Sequence, residues 1–133
     1  MAAQVEMLPS GKSIASMRIE TKSEAGSLVV LLIDNHLGAD VAAEFKRQVM
    51  GQLSAGVRVV LLEISQVTFV DSTGLGALVA IRKRLGEGGV LAICGSQSLI
   101  LELFQLTRLD KIVQFSPDTE TALHHLVAEA ARR

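Results

Sequence analysis

The segment that decides the fold runs from Val67 to Arg84 and reads VTFVDSTGLGALVAIRKR. An apolar, strand-like run breaks at Asp71-Ser72-Thr73, and helical spacing begins directly after it. Leu75, Leu78, Val79, Arg82 and Leu85 follow at the offsets of one helix face. Arg82, Lys83 and Arg84 fall in the last turns, where positive charge complements the helix dipole. A strand that enters a helix through an acid and two hydroxyls meets backbone amides in need of acceptors. Either Asp71 or Ser72 can serve one of them as the N-cap. Gly74 and Gly76 stand in the first helical turns, where each costs up to about 1 kcal/mol relative to alanine. Close approach of another backbone, or of a partner, gives a reason for that cost.

Working outward, RVVLLEI upstream is a nearly continuous apolar run, which suits a central strand covered on both faces. Before it, ADVAAEFKRQVMGQLSAG places Val41, Ala42, Phe45, Val49 and Leu53 at helical spacing, with Asp40 as the expected N-cap and Gly56 as the stop. Earlier still, SMRIETKSEAGSLVVLLI reads as two strands joined through Ser23 to Gly26. Downstream, Gly88-Gly89 leads into the strand VLAIC, and SLILELFQL predicts a helix that points Leu99, Leu103 and Leu106 inward and Ile100 or Phe104 outward. KIVQF is a last short strand. Ser116 is the expected cap of a final helix, with Pro117 at its first position and a buried stripe of Ala122, Leu123, Leu126, Val127 and Ala130. The order is β-β-α-β-α-β-α-β-α, an α/β fold whose alternation implies parallel neighbours joined by right-handed crossovers. Residues 1–15 show no sustained period and read as a flexible N-terminal arm, leaving 16–133 as one domain.

Composition narrows the function classes. The chain has 133 residues, about half of them apolar, which is enough for a core without disulfides or metal. A formal net charge of −1 argues against a dedicated nucleic-acid binder. The single cysteine, Cys94, lies within an apolar run and reads as a core thiol. The first fifteen residues lack the continuous apolar stretch of a signal peptide, and no run approaches the roughly 20 residues that span a bilayer. The expectation is a cytoplasmic protein with no membrane insertion. Gly11-Lys12-Ser13 matches only the tail of a phosphate-binding loop, because Glu6 stands where the motif needs glycine. Ser72 is not in a Gly-x-Ser-x-Gly elbow, since Val70 occupies the first glycine position. The histidines, His36, His124 and His125, form no metal spacing with carboxylates. The reading is a non-enzyme with no cofactor and no metal.

The string FVDSTGLGAL, Phe69 to Leu78, resembles the signature of the STAS domain, and within it the bacterial anti-sigma factor antagonists of sporulation and stress response. The resemblance runs from about Met17 to Ala128 and extends through GGVLAICGSQSLILELFQLTRLDKIVQF. It implies the STAS fold, with a single mixed β-sheet and helices. It also implies that Ser72, with Thr73 as the nearest alternative, is phosphorylated by a partner that is both anti-sigma factor and serine kinase. The unphosphorylated form would bind that kinase and free its sigma factor; phosphorylation would end the binding, and a PP2C-type phosphatase would restore it. The expected contact surface comprises Asp71, Ser72, Thr73, Gly74, Leu75 and Gly76. Family members often carry a Gly-Glu-Leu-Asp-like stretch after the second strand; here Asn35, His36, Leu37 and Gly38 fill those positions, so Asp34 or Asp40 would stand in for the acid. Arg108 stands where the family commonly has glycine. The other reading is a scaffold or accessory subunit of a stress-sensing or transporter assembly, binding partners without a phosphorylation cycle.

Overall fold

The structure, a computed structural model, describes residues 6–7, 13–14, 18–24, 26–53 and 56–130. Its elements are β1 (Glu6–Met7), β2 (Ser13–Ile14), β3 (Ile19–Glu24), β4 (Ser27–Leu32), β5 (His36–Leu37), α1 (Ala42–Gln52), β6 (Val59–Glu63), β7 (Phe69–Val70), α2 (Ser72–Leu85), β8 (Val90–Cys94), α3 (Ser98–Leu106), a 3-10 turn at Leu109–Lys111, β9 (Gln114–Ser116) and α4 (Thr119–Ala130). The main sheet has the order β3-β4-β6-β8-β9, with β3 antiparallel to β4 and the remaining neighbours parallel. It is the mixed sheet expected, in the expected element order. The sheet is not single, however: β1–β2 and β5–β7 form two separate ladders of two residues per strand. The first ladder lies within the segment read as an arm, most of which is outside the described residues.

Side-chain alternation divides the core into two layers. From β6, Val60 and Leu62 join the larger cluster with Phe45, Ile81 and Phe104, while Leu61 joins Ala92, Cys94 and Ala122 on the opposite face. The connections through α1, α2 and α3 all step in the same direction across the sheet, so right-handed crossovers stack these helices on one face. α4 covers the other face through Ala122 and Leu123. This explains the apolar run in β6, whose Val60, Leu61 and Leu62 are all buried.

Four local expectations are corrected. Asp40 does not cap α1: the helix follows Val41, and the carbonyl of Gly38 accepts from Val41 N–H at 3.0 Å and Ala42 N–H at 2.8 Å instead. α1 stops at Gln52, short of Gly56, where Leu53 turns extended. Ser116 is held in β9 opposite Cys94, so the cap of α4 is Asp118, whose carboxylate accepts from Thr121 N–H at 2.7 Å. In α3 the expected faces are exchanged except at Leu103, which packs against the core as expected. Ile100 and Phe104 are buried, with Phe104 stacked on Phe115 at a centroid distance of 5.5 Å, while Leu99 and Leu106 are 78% and 76% exposed. The side chains of Leu126, Val127, Ala130 and His125 lie outside what is described, whereas Ala122 is buried as expected. Arg108 adopts a left-handed conformation with φ 64°, the only non-glycine described with positive φ. A position of that kind favours glycine, so Arg108 holds a conformation unusual for its residue type.

Candidate functional site

The corner after β7 is assembled from two chain segments that are distant in sequence. β5 and β7 pair in parallel register, His36 with Phe69 and Leu37 with Val70. The ladder is extended on one side by Thr68 N–H donating to Asn35 O at 2.7 Å and on the other by Asp71 N–H donating to Leu37 O at 3.3 Å. Leu37 and Val70 are buried, so the pleat turns His36 and Phe69 to the outer side.

Asp71 clamps the corner. Its backbone is extended, and Oδ1 accepts from Gly74 N–H at 2.9 Å, which makes it the N-cap of α2. Oδ2 accepts from Ala39 N–H at 2.9 Å, tying the cap to the loop ahead of α1. The Gly74 amide, and then that of Ala39, stabilise the ionised carboxylate and hold its pKa below the ordinary aspartate value. Between Asp71 and Ser72 as cap, the structure selects Asp71. Ser72 and Thr73 then occupy the first two helical positions, both exposed.

The two glycines do different work. Gly74 is buried, and a Cβ there would lie 2.1 Å from the carbonyl oxygen of Leu37. Its missing side chain is required by the fold, so of the two reasons for a glycine here the close approach of another backbone is the one the structure shows. Gly76 is exposed, with nothing within 4 Å of a Cβ built on it. Leu75 is half-buried against the core cluster.

The two candidate acids also separate. Asp34 is engaged by Arg18, accepting from its backbone N–H and its Nε, each at 2.8 Å. Asp40 belongs to the corner: its Oδ2 lies 2.8 Å from His36 Nε2. A Cβ on Gly38 would lie 3.2 Å from Asp71 Oδ2, 3.4 Å from Asp40 Oδ1 and 3.4 Å from Cε2 of Phe69. Gly38 therefore lets two carboxylates and an aromatic ring converge. Sequence reasoning missed Phe69, although the alternation around a buried Val70 carried the signal. Among the described residues no group of three His, Cys, Asp or Glu side chains is gathered as a metal ion would need. Among them, too, no helix is long and apolar enough to cross a membrane.

The family model of the STAS domain matches residues 17–122, which contain the whole corner and the main sheet. The chain belongs to the STAS domain family. A Thermotoga neapolitana protein provisionally named as an anti-sigma factor antagonist is 30% identical over 101 residues, covering 74% of this chain and 89% of the relative. Among solved structures, an anti-sigma-factor antagonist (STAS) domain protein from Planctomyces limnophilus superposes with a TM-score of 0.70 at 25% identity, over 85% of this chain and 99% of that one. The Bacillus cell fate determinant SpoIIAA in its phosphorylated form shares the fold with a TM-score of 0.63 at 14% identity, over 81% of this chain and 98% of that one.

Proposed function

We propose that this STAS protein is a phosphorylatable anti-sigma factor antagonist. In its unphosphorylated form it binds an anti-sigma factor that is also a serine kinase, in the cytoplasm, and so releases the sigma factor. Phosphorylation of Ser72 ends the binding, and a PP2C-type phosphatase reverses it. The observation that carries this reading is the exposed Ser72 hydroxyl at the first position of α2, beside an Asp71 that is fully committed as cap and clamp.

The physics of the switch is sufficient. A phosphate adds about −1.5 to −2 charge at neutral pH. The first helical amides favour that charge, while Asp71, kept ionised by its amide donors, repels it. A hundredfold loss of affinity corresponds to about 2.7 kcal/mol, and desolvating a dianion in an interface can supply it. The relatives' designation as anti-sigma factor antagonists supports the partner class.

The test compares wild type, Ser72→Ala and Ser72→Asp as baits, with intact-mass analysis of the recovered wild type. The expected result is an ATPase-fold kinase retained by Ser72→Ala and lost by Ser72→Asp, with a phosphate on the wild type. Equal binding by both variants with no phosphate would instead support a scaffold role.

A further inference from the structure

Phenylalanine is used four times in this chain, and one of the four stands apart. Phe45 and Phe104 are fully buried, and Phe115 is half-buried in its stack on Phe104. Phe69 is 53% exposed. A single exposed apolar side chain is ordinary on a protein surface; the surroundings of this one are not. The parallel register sets it beside His36 on the outer side of the β5–β7 ladder, three residues ahead of the exposed Ser72. Its ring edge rests against Gly38, around which the carboxylates of Asp40 and Asp71 also gather. Both acids are held in place, Asp40 by His36 Nε2 and Asp71 by the amides of Gly74 and Ala39. The result is an exposed aromatic ring with two held carboxylates at its border.

We propose that Phe69 is the apolar anchor by which this protein docks on the kinase that reads Ser72, entering an apolar pocket bordered by lysine or arginine. The inference rests on the reading under Proposed function and names the recognition element of that same site. Charge complementarity selects the occupant: two acids at the rim of the ring fit a cationic rim and repel an acidic one. Interface energy concentrates in desolvated aromatic side chains, while rim charges govern encounter and salt dependence. Phe69 and Asp40 therefore have separable roles, and His36 acts through Asp40 as a positioning residue.

The test uses the full chain and purified ATPase-fold serine kinases of the source organism, with dissociation constants measured at low and high salt. Phe69→Ala is expected to weaken binding at least about tenfold at every salt concentration, the mark of a lost anchor. Phe69→Tyr, which keeps the ring, stays within about twofold of wild type by the same measure. Asp40→Asn is expected to weaken binding about threefold at low salt, a difference that disappears once salt screens the rim. Phe69→Ala binding like wild type, while Ser72→Asp still abolishes binding, would overturn the anchor and leave the phosphorylation switch intact. Wild type that neither binds nor is phosphorylated by any of these kinases would overturn both. Melting curves complete the set: if Phe69→Ala and Phe69→Gln both melt well below wild type, the ring serves the fold, and the anchor is overturned.

Discussion

Gly74 and Gly76 look alike in the string Thr73-Gly74-Leu75-Gly76, yet their surroundings are opposite. The carbonyl of Leu37 occupies the place of a side chain on Gly74, while the space beside Gly76 is open. Gly74→Ala must displace a backbone carbonyl that already accepts from Asp71, so it is expected to cost about 3 kcal/mol or more in urea denaturation. Gly76→Ala adds a methyl to an exposed helical position and is expected to stabilise by up to about 1 kcal/mol. A pair of equal effects would show that the Leu37 contact does not set the requirement. The distinction was not legible in the sequence, because it depends on a carbonyl thirty-seven positions upstream. The cap was half legible: an acid before a helix start marks a cap, but nothing in the string reveals that its second oxygen holds Ala39.

At the scale of elements, legibility followed the contrast between apolar and polar positions. At the start of α1 and along it, the apolar residues Val41, Ala42, Phe45 and Val49 stand among charged neighbours, and these are the residues buried. In α3, six of the nine residues of SLILELFQL are apolar, so periodicity marks a helix without choosing its face. The choice is made by the ring of Phe115, on which Phe104 stacks, and by the core that receives Ile100. Phe104→Ala is accordingly expected to cost about 3–5 kcal/mol, and Leu99→Ser no more than about 0.5 kcal/mol. Chemical denaturation of the two variants checks the assignment; a larger loss at Leu99 would reverse the two faces. Caps were misplaced at Asp40 and Ser116 for a related reason. Each residue type suits a cap, but His36 claims the first side chain and pairing with Cys94 holds the second in a strand.

For the whole molecule, alternating strands and helices made the sheet legible, while the β5–β7 ladder that builds the corner was too short to read. The parallel topology also brings the starts of the helices after β4, β6, β8 and β9 to one end of the sheet, and acids serve three of those starts. Asp71 is lowered in pKa chiefly by the Gly74 amide and Asp118 chiefly by the Thr121 amide. Glu44, in the first turn of α1, is lowered chiefly by Arg47, against an opposing effect of burial. A folded-state pKa below the unfolded value means that the unfolded chain binds more protons between the two. The contribution to stability is therefore complete above the unfolded carboxylate range of about 3.9–4.3 and is lost as pH falls through the lowered values. Urea midpoints measured against pH are expected to hold steady from neutrality to about pH 5 and to fall below about pH 4. The double variant Asp71→Asn/Asp118→Asn keeps a capping oxygen at both helices, gives up the bond from Ala39 N–H, and no longer titrates there, so its midpoint should be lower at neutrality and its acid limb shallower. If the double variant retains the full wild-type slope, the acid sensitivity lies outside these two caps, and the two carboxylates act there only as hydrogen-bond acceptors.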